Sequence, residues 1–177
     1  ASMEYKYNEA VTLPEATKEG HTFINWVDED DKVVTTITMP ADNITVSAIF
    51  KINYYTVTLY TVYDTVPYDV LNVTYKEFVV LPEVELEGHT FNGWFTDASR
   101  TVPAQHTEFE MPSRDLMFYA KHTVNTYWIS FDTDGGDSIA DKEYKYNEAV
   151  TLPDATKEGH TFIQWVDEDD KAVTTII

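Results

Sequence analysis

The sequence predicts a mostly β chain built from tandem small domains, and three observations carry that expectation. Residues 4–37 recur almost unchanged at 143–176, differing only at Glu15/Asp154, Asn25/Gln164 and Val33/Ala172. A diverged copy lies between them: Leu81-Pro82, Glu87-Gly88-His89-Thr90-Phe91 and Trp94 match Leu13-Pro14, Glu19-Gly20-His21-Thr22-Phe23 and Trp26 at a constant offset of 68. The signature returns 71 residues later at Leu152-Pro153, Glu158-Gly159-His160-Thr161-Phe162 and Trp165. Around these signatures, β-branched and aromatic residues alternate with polar ones, the period-two pattern of a half-buried strand. A self-similar period of about 70 residues marks a repeat array.

Each repeat resolves into four strand-like runs. The first is Tyr55 to Tyr60, matched by Tyr127 to Phe131. The second runs from Val73 to Leu81, with its counterpart from Tyr5 to Leu13. The third holds the Gly-His-Thr-Phe-x-x-Trp signature, as in His21 to Val27. The fourth is Ile44 to Phe50, matched by Leu116 to Ala120. Between the second and third runs, Pro14 and Gly20 bracket a short polar stretch. Proline suits the first position of a helix and glycine the position past its end. One short helical turn per repeat is therefore expected, too short for an independent helix. On this division residues 1–52 form a repeat short of its first strand, 53–123 a complete one, and 124–177 a repeat short of its last strand. The connections at 50–54 and 121–126 carry no Gly or Pro and do not resemble flexible linkers.

Composition narrows the function classes. The net charge of −19 opposes nucleic-acid binding and attraction to anionic lipid, both of which need Lys and Arg. No run of about eighteen apolar residues is present, so no membrane insertion is expected. With 43% hydrophobic residues, the chain has enough apolar side chains to pack cores. The lack of cysteine in a repeat array fits a cytosolic protein or a bacterial surface protein.

Taken together, Tyr127-Trp128-Ile129-Ser130-Phe131-Asp132-Thr133-Asp134-Gly135-Gly136, Leu152-Pro153 and Glu158-Gly159-His160-Thr161-Phe162-x-x-Trp165 resemble the Listeria–Bacteroides repeat, the family of the internalin B B-repeat. The central copy adds Gly88-His89-Thr90-Phe91-Asn92-Gly93-Trp94-Phe95 and a terminal Leu116-Met117-Phe118-Tyr119-Ala120 strand. The chain departs from the family pattern in three ways. His stands for the usual Tyr at 21, 89 and 160. Asn25 and Gln164 replace the Gly before Trp. Tyr63-Asp64-Thr65-Val66-Pro67 takes the place of the Gly-Gly turn. The resemblance implies small β-grasp-like domains, each a short mixed sheet, used in tandem on secreted or wall-attached bacterial proteins. It implies localisation at the cell surface, with any signal or anchor outside this segment, and a non-catalytic role as stalk or adhesion module.

Candidate sites compete with structural roles. Trp26, Trp94 and Trp165, each beside Phe23, Phe91 or Phe162, read as core anchors before sugar platforms. Gly20, Gly88 and Gly159 read as turn positions, and His21, His89 and His160 as half-buried rings with one satisfied nitrogen. These histidines fall one per repeat, so no zinc site is expected. The runs Asp28-Glu29-Asp30-Asp31 and Asp167-Glu168-Asp169-Asp170 fit solvated turns better than calcium ligands. Trp128 alternates out of phase with Tyr127, Ile129 and Phe131 and is the candidate for an outward contact surface. No nucleophile–base pair recurs and no phosphate loop is present, so neither catalysis nor a cofactor is expected. The expected partners are an extracellular protein or a glycan, with a carbohydrate-binding module as the alternative function. The strand missing from each outer repeat is present in the other, so head-to-tail self-association is also expected.

Overall fold

The computed structural model of the chain describes residues 3–61 and 65–173. The first two residues of the Tyr63-Asp64-Thr65-Val66-Pro67 turn and the last three of the second duplicated segment lie outside them. Every regular element among the described residues is a strand. These strands gather into two compact units, residues 1–82 with 94–119 and residues 83–93 with 120–177.

The first unit opens with β1 (Ala10–Thr12), β2 (His21–Val27), β3 (Val33–Val34), β4 (Thr36–Thr38) and β5 (Ser47–Ile52). β1 and β4 form an antiparallel pair with Val11 opposite Ile37. β2 lies between β3 and β5, antiparallel to both. A bulge at Ile24 separates the pairs Phe23–Phe50 and Asn25–Ile49. That bulge lets Phe23 and Trp26 meet at 5.7 Å between ring centroids.

Next in the chain come β6 (Tyr54–Tyr60), β7 (Asp69–Thr74), β8 (Phe78–Val80), β9 (His89–Phe95), β10 (Glu108–Glu110) and β11 (Leu116–Val124), of which residues 89–93 and 120–124 belong to the second unit. Four of them make a mixed sheet in the order β7-β6-β11-β9. The central pair, β6 and β11, is parallel, with Val57 opposite Leu116 and Leu59 opposite Phe118. β8 and β10 repeat the β1–β4 pairing. Alternation in β6 sends Val57 and Leu59 inward, where neither has any exposed surface. Trp94, Met111 and Phe118 are also buried in this unit. At the rim, Tyr60 and Tyr119 stack at 5.0 Å, with rings 11° from parallel.

In the second unit, β12 (Thr126–Ile129) and β13 (Lys142–Lys145) form an antiparallel pair, and β14 (Trp165–Val166) pairs with β15 (Ala172–Val173). Val84, Ala120 and Val150 are its buried apolar residues.

The expected helical turn at 14–20 does not form. The segment stays irregular and closes in a turn, where the His21 N–H donates to the Lys18 carbonyl at 3.1 Å. Its Pro14 carbonyl is already taken by Trp26 Nε1 at 2.7 Å. The same bond recurs from Trp94 to Pro82 and from Trp165 to Pro153, each at 2.7 Å. A six-residue stretch gains too few helical bonds to outweigh this anchor and the cost of nucleation.

Near-identical sequence takes two forms. His21–Val27 is a seven-residue strand, whereas in its counterpart at 160–166 only Trp165–Val166 is a strand. Ile24 is 51% exposed and Ile163 is 87% exposed. The difference lies in the neighbour: β2 has β5 beside it, and 160–164 has no partner strand among the described residues. The same cause trims the fourth run. β11 is a strand from Leu116, where β6 pairs with it, but β5 begins only at Ser47, not at Ile44.

Candidate functional site

The recurrent Glu-Gly-His-Thr signature forms one half of a clasp, built twice with the same parts. In the first unit, Asn53 is the single residue between β5 and β6. Its N–H donates to the Gly20 carbonyl at 2.9 Å, and its own carbonyl accepts the Tyr75 N–H at 3.0 Å. The Thr22 hydroxyl donates to Asn53 Oδ1 at 2.6 Å. Tyr75 lays its ring against Gly20, so closely that a Cβ there would fall inside the ring. His21 meets the same ring edge-on at 5.9 Å and 78°. The Glu19 carboxylate lies close enough to raise the Tyr75 phenol, and it accepts from the Ser113 hydroxyl at 2.9 Å.

The second unit repeats this set around Asn125, between β11 and β12. Asn125 donates to the Gly88 carbonyl at 2.8 Å and accepts from the Tyr146 N–H at 2.9 Å. The Thr90 hydroxyl donates to Asn125 Oδ1 at 2.6 Å. Tyr146 covers Gly88, His89 stands edge-on to it at 6.0 Å and 74°, and the Glu87 carboxylate lies near its hydroxyl. The chemistry is physical throughout: a ring on a bare glycine backbone, plus hydrogen bonds that leave no backbone donor of the linker unpaired. Gly20 and Gly88 have φ of 68° and 67°, a left-handed conformation that glycine adopts without strain.

The signature histidines have one structural role each. His21, His89 and His160 donate from Nδ1 to the carbonyl of the preceding Glu, at 2.8, 2.8 and 2.9 Å. Gly159 keeps φ of 73°, yet nothing lies within 4 Å of where its Cβ would be. At the other end, Tyr7, the counterpart of Tyr75 and Tyr146, is 67% exposed. Each of these two half-clasps stands without its complement among the described residues.

The remaining candidates lie apart from the clasp. Trp94 is 3% exposed, while Trp26 and Trp165 are half-buried; Phe23, Phe91 and Phe162 are half-buried too. Phe162 and Trp165 meet at 5.4 Å. Phe91 packs on His122 at 5.4 Å. Trp128 is 66% exposed, with Tyr127 beside it at 53%. The acidic runs are turns organised by their first residue: Asp28 Oδ1 accepts the N–H of Asp30 and Lys32, and Asp167 does the same for Asp169 and Lys171. Asp97 holds the central loop similarly. The Val102 N–H foremost, with Thr101, keeps its carboxyl below the usual range despite partial burial. No group of three or more His, Asp or Glu side chains among the described residues could hold a metal ion.

Sequence reading singled out the loop side of the clasp but not its partners, Asn53, Asn125, Tyr75 and Tyr146. Their signal was present. Asn53 and Asn125 stand 72 apart, each between two strand-like runs, and Tyr75 and Tyr146 lie 71 apart, each opening a turn.

The Listeria-Bacteroides repeat domain matches residues 55–121 and 127–176, and the divergent InlB B-repeat domain matches residues 1–54. The chain belongs to the Listeria-Bacteroides repeat family. The edges of these matches lie beside the two clasp asparagines. Among curated relatives, a protein of Evansella cellulosilytica provisionally described as a membrane protein is 35% identical over 169 residues, covering 91% of this chain and 24% of the relative. A second from that organism, provisionally described as a Gly-rich membrane protein, is 30% identical over 174 residues, covering 92% and 20%. Internalin H of Listeria monocytogenes is 34% identical over 82 residues, 46% of this chain and 15% of that protein. The chain thus spans a quarter or less of the length of these relatives. No solved structure matches it.

The clasp has a pH signature. Burial first, and then the neighbouring Glu19 or Glu87 carboxylate, raises the Tyr75 and Tyr146 phenols above their ordinary value of 10.0. A raised folded-state pKa means that the stabilisation is complete below pH 10 and is lost as pH rises through the folded value. Alkaline titration followed by tyrosinate absorbance should show these two phenols ionising late, with loss of the clasp as they do. Glu19→Gln and Glu87→Gln should bring them back toward 10.

Proposed function

We propose that this chain is a non-catalytic spacer exposed on a bacterial cell, built from β-grasp-like repeats joined by stiff junctions. The observation that carries the reading is the twofold clasp. A one-residue linker, hydrogen-bonded on both sides and capped by a tyrosine, leaves little freedom for bending at each junction. The strand order β7-β6-β11-β9, with its parallel central pair, favours the β-grasp-like description. Surface exposure is favoured by the family and by relatives described as membrane proteins and an internalin.

A spin-label pair at Val33 and Val102, both exposed and both in the first unit, tests the stiffness. The native chain should give one narrow distance distribution, and Tyr75→Ala should broaden it. A broad distribution in the native chain would remove the spacer reading.

Adhesion is the second reading, and Trp128, 66% exposed on β12, favours it. Trp128→Ala should leave stability within about 0.5 kcal/mol, as at ordinary surface positions. It should abolish cell binding only if Trp128 lies on a contact surface. Screening the same variant on a glycan array separates carbohydrate binding from binding to protein.

A further inference from the structure

We propose that the outward face of the β8–β10 ribbon, in the central repeat, docks an extended, arginine-bearing segment of a partner protein. Such a site would serve a spacer or an adhesin alike and depends on neither reading.

The chain contains its own control. The β1–β4 and β8–β10 ribbons share one register, with Val11 opposite Ile37 in the first and Val79 opposite Phe109 in the second. The inward valine is kept in all three repeats: Val11, Val79 and Val150 are each 5% exposed. The outward positions are not kept. The first ribbon presents Ala10, Thr12, Thr36 and Thr38, and the third repeat has Ala149 and Thr151 beside its own inward valine. The central ribbon presents Phe78, Val80, Glu108 and Glu110 instead. Folding of the repeat does not require these four, because the same ribbon forms with small residues in their place.

Neighbouring repeats leave this face open. The first ribbon has a repeat after it and the central ribbon has a repeat before it, yet every outward residue of both is exposed. Phe78 is 62% exposed and Val80 56%.

The exposed residues form two columns. Phe78 and Val80 share one face of β8, about 7 Å apart at two residues' rise. Glu110 stands opposite Phe78 on β10, and Glu108 opposite Val80. A groove of about 410 Å³ beside β8, lined also by Val70 of β7, extends the apolar column. Neither Glu108 nor Glu110 has a hydrogen bond or ion pair among the described residues. The nearby Glu77, by contrast, commits its carboxylate to the Thr74 N–H at 3.0 Å and to the Thr74 hydroxyl.

Each row thus sets an apolar surface beside a free carboxylate. A guanidinium suits the Phe78–Glu110 row, because it stacks on an aromatic face and offers a planar fork to a carboxylate. A second arginine, two residues along an extended segment, lays its aliphatic stem on Val80 and reaches Glu108. An ammonium finds the carboxylate but lacks the flat fork. Charge opposes the other occupants. A second copy of this face would set glutamates against glutamates, and a chain of net charge −19 repels nucleic acid and anionic lipid.

Fluorescence anisotropy of a labelled peptide alternating arginine with threonine, titrated with the intact chain, tests this. Saturable binding of one peptide per chain is expected, with a lysine–threonine peptide weaker by at least about threefold. The combined variant Phe78→Ala, Val80→Thr, Glu108→Thr and Glu110→Thr carries the outward residues of the first ribbon. It should weaken binding by at least about tenfold, the loss expected when an aromatic anchor is removed. It takes away only two of the negative charges behind the net −19, so general attraction for a cationic peptide barely changes. The lysine comparison uses the native chain and stands even if the combined variant misfolds. Binding without saturation, equal affinity for the two peptides, or undiminished binding by a folded combined variant would overturn the proposal. So would self-association of the native chain that the combined variant abolishes, which would give this face to a second copy.

Discussion

Alanine at Gly20 or Gly88 will open the junction, whereas the same change at Gly159 will cost far less. All three glycines share a positive φ, so all three variants carry the backbone strain of a left-handed alanine, about 1 kcal/mol. Only two of them face a ring. At Gly20 the new methyl group would occupy the Tyr75 ring, and at Gly88 the Tyr146 ring. Relieving such an overlap typically costs a further 1–3 kcal/mol, roughly, and here it would do so by expelling the tyrosine. Expulsion also exposes the Asn53 or Asn125 carbonyl, whose partner is that tyrosine's own N–H. Native-state hydrogen exchange reads this directly. The Asn53 and Tyr75 amides should lose protection in Gly20→Ala and keep it in Gly159→Ala. Equal loss across the three glycines would mean that φ alone matters and that the ring contact contributes nothing.

Trp94→Ala should be the most damaging of the tryptophan substitutions, at about 3–5 kcal/mol, the usual range for emptying a fully enclosed aromatic site. The side chain is 3% exposed and its indole N–H satisfies the Pro82 carbonyl at 2.7 Å. The variant therefore leaves a cavity and an orphaned acceptor together. Trp26 and Trp165 make the same bond but are only half-buried, so roughly 1–3 kcal/mol is expected there. Thermal unfolding of the three variants checks the order. Similar losses at all three positions would show that the hydrogen bond, rather than enclosure, carries the energy.

The contrast among these tryptophans shows how far sequence could be read. Alternation in 55–60 correctly marks a strand, because Val57 and Leu59 must both point to one face. Periodicity also finds the signature strand at 21–27. It assigns the same strand to 160–166, where the chain largely declines it. Those residues are not less strand-prone; they have no partner strand among the described residues, and a strand exists only as part of a pair. The helical turn failed for a related reason. Proline and glycine bracket 14–20 as they would a helix, but a distant indole claims the Pro14 carbonyl. The clasp escaped notice because its two halves lie 31 to 59 residues apart and are chemically unlike. A tyrosine and an asparagine do not announce that they belong to a glycine in the preceding repeat.

The clasp also bears on how such a protein can change over generations. The repeats at 53–123 and 124–177 each carry the asparagine and tyrosine near the start and the Glu-Gly-His-Thr loop in the middle, so both halves of the joint are encoded in one unit. A recombination event that adds or removes one unit therefore leaves every remaining joint intact, with no compensating change required. The number of units can then change while the chemistry of each remaining joint stays the same.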